Sequence, residues 1–84
     1  MPYIKQDRRV ILNPLIRDLG ALTQNEGELN YVITLLIDNY FGAHNYDELN
    51  AAMGVLSCVA QEFYRRRIAP YEELKAKEHG EVFK

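Results

Sequence analysis

The sequence has a single cysteine, Cys58, which excludes an internal disulfide framework. It has no glycine-rich phosphate loop, no spaced catalytic triad and no Cys/His zinc pattern. Backbone phosphate cradling, nucleophilic catalysis and structural zinc therefore all lack their usual residues. There is no excess of cations either. Ten Lys and Arg stand against twelve Asp and Glu, a net charge of −2, so the whole molecule is not a basic nucleic-acid binder and nucleic acid is not an expected partner. The longest apolar stretch, around "YVITLLI" at 31–37, is far too short for a bilayer. The opening "MPYIKQDRRV" is polar and has no signal-peptide core. With the lone thiol suited to a reducing compartment, the expectation is a cytoplasmic protein with no membrane partner. Nowhere do β-branched residues alternate with polar ones over a useful length, which excludes a recognisable strand.

What remains is a chain of 84 residues with 48% apolar content, enough for one folded domain spanning 1–84. A chain this short covers only about 60–65% of the surface its unfolded form exposes, so its stability margin is thin. With neither disulfides nor metal, oligomerisation is the expected remedy.

The apolar spacing is helical throughout. In "DRRVILNPLIRDLGALT", Asp7 is a candidate cap for a short first turn, and Asn13-Pro14 is a second start signal. Leu15, Leu19 and Leu22 then share a face, which predicts a helix over 14–23. In "NEGELNYVITLLIDNYFG", Asn25 and Glu28 have the form of a capping box. Leu29, Val32, Ile33, Leu36, Ile37, Tyr40 and Phe41 make a wide apolar stripe, with Gly42 as the expected terminator. A third helix begins after Asn45, with Glu48 at its third position, and carries Leu49, Met53, Leu56, Ala60 and Phe63. Small residues around Gly54 predict close approach by another helix. Pro70 either ends this helix or kinks it; the stripe resumes at Tyr71 and Leu74, which favours a kink, and Gly80 closes the segment. The fold expected is all-α, three to four helices, with the long C-terminal helix kinked or broken near Pro70 and the bundle completed by oligomerisation.

The run "EFYRRRIAP" at 62–70 carries most of the remaining chemistry. Successive helical residues point about 100° apart, so Arg65, Arg66 and Arg67 splay around the axis instead of forming one flat patch. Glu62 stands four before Arg66, the favourable order for an ion pair. Arg67 stands four before Tyr71, a spacing that allows a cation–π contact if the helix is continuous. The bland reading is a cationic helix end complementing the dipole. The functional reading is an anion site, for which arginine is the suited side chain. Arg8 and Arg9 would add to such a site if the N-terminal segment folds back, and the off-stripe Tyr64 or Tyr31 could stack on a base. His44 with Asp47 supplies too few ligands for a metal, and none is expected. Cys58, between Val55 and Val59, reads as a small buried residue without a neighbouring base. Val82 and Phe83, after Gly80, either tuck onto the core or dock on a neighbouring subunit.

Taken together, "MPYIKQDRR", "GELNYVIT" and "EFYRRRIAPYEELKAKEHGEV" resemble a family of small helical proteins of unknown function met in phage, prophage and gut metagenomic sequences. The resemblance implies a phage accessory protein acting in the host cytoplasm by stoichiometric binding, with no catalytic residues and no cofactor. The expected function is a non-enzymatic homo-oligomer that sequesters an anionic, nucleotide-like ligand, as an anti-defence sponge would. The alternative is a module that inhibits or recruits a host or phage protein through its helical surface.

Overall fold

The computed structural model describes residues 1–83 and contains helices α1 (Gln6–Leu22), α2 (Glu26–Tyr40), α3 (Tyr46–Phe63) and α4 (Ala69–His79), with a π-helical turn, Tyr64–Ile68, joining α3 to α4. No strand occurs among the described residues. The all-α expectation holds, and the segment Tyr46–His79 runs through Pro70 as a joined, kinked helix. The chain divides within α3 into two units, Pro2–Ala52 and the stretch from Met53 onward, with Met1 assigned to the second.

The helix starts follow from local hydrogen bonding. The Asn25 side chain accepts the Glu28 backbone N–H at 2.8 Å, while Glu28 Oε1 accepts the Gln24 N–H at 2.9 Å. This is the expected capping box, with the return bond reaching one residue further back than usual. The start of α3 is capped in a similar manner: Asn45 Oδ1 accepts from Glu48 N at 2.9 Å, and Glu48 Oε1 accepts from Ala43 N, two residues before the cap, at 3.0 Å. Each such cap contributes about 1 kcal/mol.

Helix α1 departs from expectation. It begins at Gln6 and runs unbroken to Leu22, with Pro14 in its interior and Lys5 as its N-cap. Neither Asp7 nor Asn13 caps a helix. Asp7 lies in the first turn, where a carboxylate complements the helix dipole. Pro14 deprives the Val10 carbonyl of its intrahelical donor, and that position is solvent-exposed, so water can take the vacated bond.

The end of α2 is a second correction. The left-handed residue after it is His44 (φ 54°), and the only described glycine at positive φ is Gly80 (φ 91°). The turn is held instead by His44 Nε2 at 2.8 Å from Asp38 Oδ1 and by an edge-on Tyr40–Phe41 ring contact of 4.9 Å. Gly80 does close α4, its N–H donating to Ala76 O at 2.8 Å.

Burial is where the chain is most unusual. Among the described residues only Ala52 is buried, at 8% exposure. Leu12, Val32, Ile37 and Phe41 in the first unit, and Leu56 in the second, are half-buried. The apolar positions Leu15, Leu22, Leu29, Ile33, Leu36, Leu49, Met53, Val59 and Phe63 are all exposed. A Cβ added at Gly54 would meet no heavy atom within 4 Å, so the expected close approach is not seen there among the described residues. Cys58 is likewise exposed, contrary to expectation.

Candidate functional site

The candidate site is the π turn, whose five residues Tyr64–Ile68 include all three arginines of the run. Its cause is local. Proline has no N–H to donate and its ring crowds the carbonyl four residues earlier. For Pro70 that carbonyl belongs to Arg66. Widening the turn to i→i+5 bonding, with Ala69 N–H donating to Tyr64 O, relieves that crowding without ending the helix. Such π turns are frequent at functional sites.

The wider turn resets which side chains meet. Glu62 takes two arginines. Arg65 Nη2 donates to both of its carboxylate oxygens at 3.0 and 2.8 Å, and Arg66 Nε stands 3.5 Å away. The predicted Glu62–Arg66 pair exists, but Arg65 makes the tighter contact. Arg67 forms no ion pair among the described residues. The predicted Arg67–Tyr71 contact is replaced by Lys75, whose Nζ lies 5.5 Å from the Tyr71 ring centroid. An i,i+4 cation–π pair requires regular α winding, and the π turn interrupts it between Arg67 and Tyr71.

Tyr64 shows the same effect. Its hydroxyl donates to Glu72 Oε1, eight residues ahead. In an uninterrupted α-helix, residues seven apart share a face; the extra residue in the π turn moves that alignment to eight. The bond to Glu72, and then the repulsion of phenolate by that carboxylate, raise the Tyr64 pKa above the ordinary 10.0. A group whose folded pKa is raised contributes stability that is complete below its unfolded value and lost as pH climbs through the folded one. An alkaline spectrophotometric titration should therefore show Tyr64 ionising above pH 10.0. Tyr64→Phe should remove that late phase, and a titration unchanged by Tyr64→Phe would contradict the assignment.

Beside this turn, a pocket of about 510 Å³ lies between α4 and the segment after Gly80, with Tyr64, Glu72, Lys75, His79, Val82 and Phe83 in its lining. Val82 and Phe83 remain exposed and are not tucked onto a core. Glu81 Oε1 accepts both of their backbone N–H groups, at 2.9 and 3.2 Å, which fixes the backbone of this short apolar end.

The remaining predicted site residues stand in the first unit. Arg8 and Arg9 lie in the first turn of α1, where Arg9 Nε donates to Ile4 O at 3.0 Å, and Tyr31 lies exposed on α2. What the structure brings together is thus Glu62 with Arg65 and Arg66, and Tyr64 with Glu72. The role of Glu72 and the π register were not read from the sequence; Pro70 was the available signal. No group of three or more potential metal ligands occurs among the described residues. None of their helices is long and apolar enough to cross a membrane.

A family model described as a domain of unknown function, DUF6899, matches residues 1–82. No curated protein and no solved structure matches the chain. The resemblance to a small helical family of unknown function is thereby established.

Proposed function

We propose, for a chain that belongs to the DUF6899 family of domains of unknown function, a non-enzymatic binding role carried out by a helical homo-oligomer. The supporting observation is the exposure of nearly every large apolar side chain, with Ala52 alone buried among the described residues. Sedimentation equilibrium tests the assembly: a mass that is a multiple of 9.8 kDa is expected, and a single-chain mass at micromolar concentration would overturn it.

A second observation supports an anionic ligand on that assembly. Glu62 with Arg65, Arg66 and Arg67 carries a formal charge of +2, and Arg67 forms no ion pair among the described residues. A phosphate-bearing, nucleotide-like molecule fits that charge, with Tyr64 on the same turn offering a ring to stack on a base. A small phage accessory protein holding such a ligand in the host cytoplasm would act by sequestration. Isothermal titration with ADP-ribose and cyclic nucleotides should give heat that Arg67→Ala reduces at least tenfold. Absence of heat with all of them would remove the ligand reading and leave docking of a host or phage protein on the apolar faces as the binding role.

A further inference from the structure

The stretch 64–79 of the joined helix has two unlike sides. One side walls the pocket, with Tyr64, Ala69, Glu72, Glu73, Ala76 and His79 in its lining. Arg67, Tyr71, Leu74 and Glu78 take no part in that lining. They recur at intervals of four, three and four residues, the spacing that keeps side chains on one helix face. Four residues make about one turn in either winding, so the π turn leaves Arg67 on the side of Tyr71, although Lys75 is the cation over the Tyr71 ring. This face is turned away from the pocket, and all four of its residues are exposed. Tyr71 and Leu74 form an apolar middle, with a cation at one end and a carboxylate at the other. Arg67 forms no ion pair among the described residues, while Glu78 holds Lys75 at 3.2 Å and lies 3.6 Å from His79.

A two-fold axis makes an interface self-complementary: whatever one copy offers at residue i, the other receives at j, and the reverse. Arg67 and Glu78 stand equally far in sequence from the Glu72-Glu73 peptide bond, and so do Tyr71 and Leu74. An antiparallel axis at that level therefore sets Tyr71 against the partner's Leu74 and Arg67 against the partner's Glu78, each twice over. A parallel pairing would set Arg67 on Arg67 and Glu78 on Glu78. Glu72 and Glu73 belong to the pocket side and stay out of the contact. We propose that the occupant of this face is a second copy of the chain, docked antiparallel with Tyr71 and Leu74 at the centre and with Arg67 of each copy on Glu78 of the other. Glu78 keeps Lys75 in this arrangement, because a carboxylate has lone pairs enough for two cations. The charges at the two ends fix direction and register, and the apolar middle is what the contact removes from water.

This docking rests on the homo-oligomer reading and specifies one of its contacts. It offers Arg67 a carboxylate where the ligand reading offers it a phosphate, and Glu78 distinguishes the two, because only docking uses it. The test uses the full chain in two charge-reversed forms, Arg67→Glu and Glu78→Arg. Each variant alone places like charges opposite one another at both symmetry-related contacts. Sedimentation equilibrium at low salt should show the dissociation constant of each raised at least tenfold over wild type. An equimolar mixture restores opposite charges at both contacts and should return to within about threefold of wild type. Glu78→Arg also loses its own pair with Lys75, but that loss is present in the mixture as well, so the recovery reads the contact between copies. A mixture that dissociates as readily as the separate variants, or a Glu78→Arg form that assembles like wild type, would overturn this docking while leaving the oligomer intact. A wild-type chain that sediments as a monomer would overturn both.

Discussion

Leu36→Ala should destabilise the protein by about 2–4 kcal/mol, as truncation of a core leucine does, although Leu36 is 58% exposed in the single chain. The expectation rests on the disagreement between pattern and burial. Leu36 stands in the α2 stripe with Leu29, Ile33 and Tyr40, at the three- and four-residue spacings of a face meant for a core. Those side chains are exposed in the chain by itself. Helices of 15–18 residues such as α2 and α3 are marginal in water without tertiary contacts. Ordering each residue costs about 1–2 kcal/mol of backbone entropy, which wet apolar side chains do nothing to offset. On the proposed homo-oligomer, the stripe is covered by the assembly. Tyr31→Ala, on the same helix but off the stripe and 65% exposed, is the control and should stay within about 0.5 kcal/mol. Urea denaturation of both variants at one protein concentration decides the matter. Equal, small effects would mean that this face of α2 stays wet in the native state.

The same disagreement shows how far the sequence could be read. Where a signal is local, it was legible. Asn25 with Glu28 and Asn45 with Glu48 cap as their spacing predicts, because a cap involves only a few consecutive residues. Asn13-Pro14 misled because a proline at a helix start and a proline tolerated inside an exposed helix look identical in sequence. Gly42 misled for a related reason: the left-handed position two residues on was taken by His44, which Asp38 holds. Pro70 correctly marked an irregularity, but a kink, a break and a π turn all relieve the same clash. The choice among them set the partners of Tyr64, Arg65 and Arg67. Apolar periodicity identifies the face that must be covered; it is blind to whether the covering residues belong to the same chain.

Melting should depend on concentration, and this is the larger effect. If a second copy supplies the core, folding and association are one equilibrium and the separated chain has no stable folded form. For a two-state dimer, every tenfold dilution then lowers the apparent stability by about 1.4 kcal/mol. Diluting from about 100 µM to about 0.1 µM removes roughly 4 kcal/mol, a large part of the total for a chain of 84 residues. Circular dichroism in long-path cells should show the melting temperature falling steadily across that series. The helical signal itself should fade at the dilute end, because α1 to α4 lose what covers them. Dilution would leave a self-sufficient monomer untouched: its melting temperature would be the same at both ends. Leu36→Ala should shift the whole series toward higher concentration, by about thirtyfold to a thousandfold for a loss of about 2–4 kcal/mol. Because folding and association are one equilibrium in such a dimer, that displacement reads the stability Leu36 gives the assembled state, and a series that did not move would overturn the expectation.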